Sequence, residues 1–228
     1  PYGDKSATAI QSYAVKICNL LLEKNCKLIL IACNSASAAA YDLVKAYVGS
    51  KAVVVNVIDP VIDYLSKSWE HKTLGLIGTK QTVNSGIYAQ KAENLHQDIQ
   101  IKSLATPLLA PMIEEGFFNN KISEQIIEEY LRNEKLQAID GLILGCTHYP
   151  LIKKQIENFY QGSTQVIDTS IIVAEKIKSI LEENNLQTDQ THTGSRQFFV
   201  SDYTESFEKS TQLFFGEEIK LEQYAIWD

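Results

Sequence analysis

Short apolar runs alternate along the chain with longer segments in which apolar residues recur every three or four positions. Residues 5–25 show the helical spacing, and residues 28–32 form the first fully apolar run. The alternation predicts buried strands at residues 28–32, 52–57, 73–77, 141–144, 165–167 and 197–200. It predicts helices at residues 5–25, 35–48, 81–95, 123–133, 151–160, 170–184 and 204–215. Apolar strands separated by helices are typical of parallel sheets, so the pattern predicts an α/β fold.

Two strand ends indicate where the chain crosses between lobes. Asp59 and Pro60 follow one predicted strand, and Asp168 follows another and precedes a helix. We therefore expect two similar lobes, each a mostly parallel sheet flanked by helices. The first lobe comprises residues 1–58 and 168–228, and the second comprises residues 59–167.

A short internal repeat contains the candidate catalytic residues. The segment 28–35, LILIACNS, aligns position by position with the segment 141–148, GLILGCTH. In each copy an apolar strand ends in a small residue, followed by a cysteine and by polar residues that can hydrogen-bond at a helix entry. Each lobe therefore contributes one thiol, Cys33 or Cys146.

The two thiols are expected to face a shared cleft. Ligands of open parallel sheets bind beyond the carboxyl ends of the strands, where helix N-termini expose backbone N–H groups. A thiol at such a position ionises more readily and can act as a base or a nucleophile. Two opposed thiols can also invert a stereocentre, one removing a proton from carbon while the other delivers one to the opposite face. The polar neighbours suit a small polar anion, and they are Asn34, Ser35, Thr147 and His148.

Other reactive side chains have simpler interpretations. Cys18 and Cys26 lack polar companions, so we predict that they are structural. The histidines in polar segments are predicted to face solvent, and they are His71, His96 and His192. His148 lies two residues beyond Cys146 and can assist proton movement at that thiol. The sequence has neither the ligand density of a zinc site nor a nucleotide-binding motif, so no metal and no cofactor are predicted.

Composition and charge exclude some classes of ligand and of cellular location. The chain has 228 residues, of which 45% are apolar and 21% charged, and this is typical of globular proteins. A net charge of -7 without a basic cluster argues against nucleic acid as a ligand. The apolar runs are too short to span a membrane, and four cysteines without C-x-x-C spacing favour a cytoplasmic location. Because the chain begins at Pro1, without Met, we expect an N-terminal segment to be missing.

Three motifs resemble those of one enzyme family. The chain begins PYG, contains ACNSAS at residues 32–37 and contains LGCTHYP at residues 144–150. These segments resemble the cofactor-independent aspartate/glutamate racemases, in particular the members that act on glutamate. Residues 77–79 and 112–116 match weaker family patterns. The family's glycine-rich "DSGxGG" segment is absent here, and its loss would remove a central strand and a supporting carboxylate.

The resemblance implies a mechanism and a set of residues. Cys33 would deprotonate D-glutamate and Cys146 would deprotonate L-glutamate, with His148 assisting Cys146. Glu115 is the expected auxiliary carboxylate, with Glu114 as the second choice. The residues expected to contact the amino acid are Tyr2, Gly3, Asn34, Ser35, Thr147 and His148. By the same resemblance the protein would be a cytoplasmic homodimer that supplies D-glutamate for peptidoglycan.

Three alternatives remain open from the sequence. A racemase of aspartate or of another small acid would use the same scaffold, although the segment Gly145–His148 reads GCTH where aspartate-specific members usually have "GCTE". A cysteine hydrolase would use Cys146 as nucleophile and His148 as base, which leaves Cys33 without a role. A catalytically silent protein would bind an amino acid without converting it.

Overall fold

The computed structural model describes residues 2–188, 194–217 and 219–226. Pro1 and His192, which were considered above, lie outside the described residues. Every strand pairing in the described part of the chain is parallel. The α/β class with parallel sheets is therefore confirmed.

The first lobe contains a two-stranded sheet and two long helices. Strands β1 (Leu28–Ile31) and β2 (Val53–Asn56) pair in register from Leu28 with Val53. Helices α1 (Ala7–Glu23) and α2 (Asn34–Val48) pack against each other and against these strands. The side chains buried together are Ile10, Cys18, Ile29, Ala36, Ala40, Val44 and Val48. Cys18 is thus a core residue, as predicted.

The second lobe is built on a four-stranded sheet with the order β4-β3-β5-β6. Its strands are β3 (Thr73–Gly78), β4 (Gln100–Ala105), β5 (Gly141–Gly145) and β6 (Gln165–Ile167). Its helices are α3 (Asp59–Ser68), α4 (Lys80–Asn84), α5 (Ile87–Glu93), α6 (Leu109–Glu114), α7 (Lys121–Leu131) and α8 (Lys153–Tyr160). Leu142 and Leu144 pack in the cluster on one face, and Ile143 packs in the cluster on the other. A sheet buried on both faces explains why β5 has no polar residue.

The remaining chain contacts α3 of the second lobe and α1 of the first, where Lys16 Nζ lies 3.4 Å from the carbonyl oxygen of Ile226. Helix α9 (Thr169–Glu183) follows β6 and packs against α3, with Lys176 Nζ 3.1 Å from Asp63 Oδ2. Strands β7 (Phe198–Val200) and β8 (Leu221–Gln223) form a parallel pair, and helix α10 (Glu205–Phe215) lies between them in sequence. The lobe boundaries at residues 59 and 168 stay a prediction. No helix among the described residues is both long enough and apolar enough to cross a membrane.

The structure differs from the predicted elements in five places. The helix predicted at 81–95 is divided into α4 and α5 at Gly86, whose φ of 65° lies in the left-handed region. Helices α3 and α6 and strands β4 and β8 were not predicted. Strand β4 has no fully buried residue because it lies at the edge of its sheet, so its sequence lacks a continuous apolar run. Strand β8 has only three residues and is mostly exposed.

Candidate active site

Both predicted thiols lie where a strand ends. Cys33 follows β1 and is the N-cap residue of the 15-residue helix α2. Cys146 follows β5 and precedes a 3₁₀ helix at Tyr149–Ile152. The repeat thus places one thiol at the carboxyl edge of each sheet, as expected.

The two thiols have different electrostatic surroundings. Burial raises the pKa of Cys33, while the amide groups of Ala36 and Ser35 and the Ser35 hydroxyl lower it. Burial raises the pKa of Cys146 to about 12; the His148 amide opposes this increase, and the charges of Cys33 and Glu114 add to it. The charge of Cys33 thus bears on the pKa of Cys146, and the shared cleft between the two thiols stays a prediction.

His148 connects Cys146 to a carboxylate. The Sγ atom of Cys146 lies 3.5 Å from Nδ1 of His148, and Nε2 of His148 lies 3.0 Å from Oε1 of Glu114. The hydrogen bond with His148 lowers the pKa of Glu114. When Nε2–H donates to Glu114, Nδ1 of the neutral ring carries a lone pair beside the thiol. The ring can therefore accept the proton of Cys146 and return it.

The carboxylate in contact with His148 is that of Glu114, not of Glu115. Glu114 ends helix α6, and its side chain is 33% exposed where it meets His148. Glu115 is the exposed C-cap residue, and it has no ion pair within the described part of the chain. One helical position rotates a side chain by about 100°, so two neighbouring glutamates cannot face the same partner. The contact therefore favours Glu114, the second choice, over Glu115, and the role of an auxiliary carboxylate stays a prediction.

Asn34 and Ser35 are buried beside Cys33 and bonded to the second lobe. Asn34 is 3% exposed, and its Oδ1 accepts a 2.7 Å hydrogen bond from the hydroxyl of Tyr88 on α5. Ser35 is 2% exposed, and its Oγ lies 2.7 Å from Oγ1 of Thr79 and 3.4 Å from Oγ1 of Thr82. Three polar contacts therefore join the lobes next to the thiol.

Tyr2 and Gly3 lie at the same end of the first lobe. Tyr2 packs against the core of the first lobe, and after burial the charge of Cys33 is the next cause that raises the pKa of its hydroxyl. A Cβ atom at Gly3 would come within 3.0 Å of the Thr79 Cβ, tighter than most real contacts. Glycine thus allows the 3₁₀ segment Tyr2–Asp4 to approach the second lobe.

The turn after Cys146 holds the remaining predicted residues. Thr147 is exposed, and His148 is partly buried with its side chain 24% exposed. The ring of Phe214 on α10 meets the His148 ring edge-on, with centroids 5.3 Å apart and planes at 84°. No group of three or more His, Cys, Asp or Glu residues in the described ranges is arranged to hold a metal ion.

Sequence reasoning missed several residues of the site. It reached Thr79 only through the weak family pattern at residues 77–79, and it gave no signal for Thr82, Tyr88 or Phe214. Tyr88 and Phe214 are distant in sequence from every motif. Only tertiary packing brings them to the site.

Comparison with known proteins identifies the family. Residues 2–177 match the model of the Asp/Glu/hydantoin racemases. The chain belongs to this family. It is 34% identical to the glutamate racemase of Sulfurihydrogenibium sp. strain YO3AOP1, over all of this chain and 84% of the relative.

Two crystal structures of glutamate racemases resemble the chain closely. The enzyme of Francisella tularensis, in complex with D-glutamate, is 34% identical and has a TM-score of 0.89, over 100% of this chain and 84% of that chain. The RacE1 isoform of Bacillus anthracis is 27% identical and has a TM-score of 0.90, over 98% of this chain and 83% of that chain. The fold and the sequence therefore point to the same group of enzymes.

Proposed function

We propose that this chain interconverts L- and D-glutamate by a two-base mechanism that uses Cys33 and Cys146. The observation that carries the proposal is the placement of one thiol at a strand end of each lobe, half-buried at Cys33 and buried at Cys146, with the charge of Cys33 among the causes that raise the pKa of Cys146. The similarity to glutamate racemases over the whole chain supports glutamate as the substrate. The chain is accordingly an amino-acid racemase, an isomerase.

The proton transfers balance without an external acid or base. From D-glutamate, the Cys33 thiolate removes the Cα proton, and the electron pair of the C–H bond remains on the substrate. The Cys146 thiol then delivers its proton to the opposite face of Cα. This turnover leaves Cys33 as a thiol and Cys146 as a thiolate, which is the state that deprotonates L-glutamate. His148 and Glu114 assist the second thiol by exchanging its proton.

The carbanion needs stabilisation because the Cα proton of an amino acid is weakly acidic. Preorganised donors at the α-carboxylate stabilise the charge that develops there. The buried groups near Cys33 that can donate are the amide of Asn34 and the hydroxyl of Ser35. We propose Tyr2, Gly3, Thr147 and His148 as further substrate contacts. Closure of the lobes would exclude water and make each donor more effective.

The thiols are tested by substitution. Cys33→Ala and Cys146→Ala should each lower racemisation by at least about 10²-fold, the usual contribution of a positioned acid or base. Cys26→Ser is the matched control, because this half-buried thiol belongs to the packing of the first lobe. Circular dichroism follows the change of handedness. Full activity in either alanine variant would refute the two-base mechanism.

The substrate and the reaction class are tested together. In D₂O, turnover of L-glutamate should place deuterium on Cα, which proton NMR detects as loss of the Cα signal. Faster turnover of aspartate than of glutamate would favour an aspartate racemase. An acyl adduct on Cys146, seen by mass spectrometry, would favour a hydrolase. Binding of glutamate without exchange would indicate a silent binding protein.

The biological setting is part of the same proposal. We propose that the protein supplies D-glutamate for peptidoglycan synthesis, as a homodimer in the cytoplasm. Depletion of the protein should make growth depend on added D-glutamate. Light scattering coupled to size-exclusion chromatography should give twice the chain mass of 25.6 kDa. Cell fractionation should recover the protein with cytoplasmic markers, and recovery with the membranes would contradict this location.

A further inference from the structure

Only one of the two polar atoms in the Asn34 side-chain amide has a hydrogen-bond partner among the described residues. Its Oδ1 accepts a hydrogen bond from the Tyr88 hydroxyl, but its buried Nδ2 has no partner among the described residues. An amide nitrogen carries two N–H donors, and burying donors without a partner costs free energy. Because Asn34 directly follows Cys33, these unpaired donors lie beside the thiol that works on Cα.

Tyr88 is placed to fix which end of the amide faces the protein. The ring is 1% exposed and packs in the second-lobe core with residues such as Leu65 and Leu74. Burial, and then the charge of Asp59, raise the pKa of its hydroxyl, so the group stays protonated and donates. A fixed donor selects the oxygen of the amide as its partner. The nitrogen is thereby turned away from Tyr88.

We propose that Tyr88 is a positioning residue that acts through Asn34, holding the amide oxygen so that the amide NH₂ is presented to the substrate α-carboxylate. The α-carboxylate is the appropriate partner because it is attached to the carbon that Cys33 deprotonates. An NH₂ group donates to a carboxylate, whereas an amide oxygen in the same place would repel it. This inference rests on the proposed racemase function and adds a residue to it.

The contact also couples recognition to the closed arrangement of the lobes. Tyr88 belongs to α5 in the second lobe, and Asn34 begins α2 in the first. The neighbouring contact of Ser35 with Thr79, the N-cap residue of α4, also joins the start of α2 to the second lobe, at 2.7 Å. The amide is therefore held in its donor orientation only when the lobes are together.

The first test is Tyr88→Phe, which removes the hydroxyl and keeps the ring. Without its fixed partner the amide rotates, and kcat/KM for glutamate should fall about tenfold, the equivalent of one hydrogen bond. Tyr160→Phe is the matched control. The Tyr160 hydroxyl is also buried, but it has no partner among the described residues, so its loss should leave kcat/KM unchanged.

A double-mutant cycle separates positioning from general destabilisation. Asn34→Ala should lower kcat/KM, and adding Tyr88→Phe to it should cause no further loss, because Tyr88 acts through the absent amide. Asn34→Asp keeps an oxygen for Tyr88 but replaces the donor with a second oxygen. It should weaken D-glutamate binding, measured by calorimetry, more than Asn34→Ala does, while the thermal midpoint changes less.

The outcomes are distinguishable. An equal loss from Tyr88→Phe in the wild-type and Asn34→Ala backgrounds would overturn the proposal, because Tyr88 would then act independently of Asn34. Unchanged kinetics and binding in both Asn34 variants would also overturn it. Either result would leave the racemase assignment intact, since wild-type turnover reports that assignment. If wild-type protein bound D-glutamate without turnover, the assignment would fail, and the same cycle read by calorimetry would still test Tyr88.

Discussion

The contact between Glu114 and His148 gives a prediction about one half of the reaction. Glu114→Gln removes the charge and preserves the shape of the side chain. The pair is 3.0 Å apart, and a hydrogen bond between charged groups contributes about 1.5–3 kcal/mol. The side chains are 24% and 33% exposed, which reduces the contribution to about 1–2 kcal/mol. Since 1.36 kcal/mol equals a factor of ten, kcat/KM should fall about 5- to 30-fold.

The kinetic isotope effect shows at which of the two thiols proton transfer has become slower. The enantiomers have the same free energy, so kcat/KM must fall equally in both directions for every variant. If Glu114 serves Cys146 through His148, the substitution slows proton transfer at Cys146 in particular. The isotope effect on kcat/KM should then rise with Cα-deuterated L-glutamate and fall with Cα-deuterated D-glutamate.

Glu115→Gln is the matched control for this experiment. It makes the same chemical change one residue later, at an exposed side chain without an ion pair in the described ranges. Its kcat/KM should stay within about twofold of the wild type, as for most surface substitutions. Equal losses in the two variants would refute the role assigned to Glu114. A larger isotope effect with deuterated D-glutamate would instead place its action at Cys33.

Three further predictions concern stability and packing. The folded protein holds the proton of Cys146 more tightly than the unfolded chain does, so the free energy of unfolding should decrease as pH rises from about 9 towards 12. Cys146→Ala should make this decrease shallower by up to about 1.4 kcal/mol per pH unit, measured by urea titration at each pH. Phe214→Ala removes the ring that meets His148 and should lower kcat/KM. The ring of Phe215 packs on a β7 side chain instead, so Phe215→Ala should leave kcat/KM unchanged. Equal activities of the two variants would contradict this prediction. Gly145→Ala places a Cβ 2.8 Å from a backbone oxygen of β3 and should destabilise the protein by about 1–3 kcal/mol, measured by urea unfolding; an unchanged midpoint would contradict this.

The sequence predicted correctly those elements whose pattern of apolar residues matches their burial in the fold. Strand β5 is apolar throughout because both sheet faces are covered, and it was predicted within one residue. The two strand-end thiols were found because the repeat preserved strand, small residue and cysteine in order. Strand β4 was missed because an edge position tolerates polar residues such as Lys102 and Ser103. The divided helix was missed because the effect of Gly86 on backbone direction does not alter apolar spacing.

The detailed geometry of the site could not be predicted from local pattern. The choice between Glu114 and Glu115 depends on the rotation of a short helix relative to His148, and the motif contains both residues. Tyr88 carries no motif, because its role depends on the approach of α5 to the start of α2. A single sequence reveals residue types and spacing along the chain, but it does not reveal contacts between distant segments.

The repeat gives two equivalent thiols, yet the structure provides each with a different source of stabilisation. Cys33 precedes a long α-helix, whose first amide groups favour its thiolate directly. Cys146 precedes only a 3₁₀ turn, and burial raises its pKa to about 12. A thiol there needs another means of losing its proton, which the His148 ring and the Glu114 carboxylate can supply. This difference suits a reaction in which one thiol begins as base while the other begins as acid. It follows that removal of His148 should impair ionisation at Cys146 and leave the amide groups at Cys33 undisturbed.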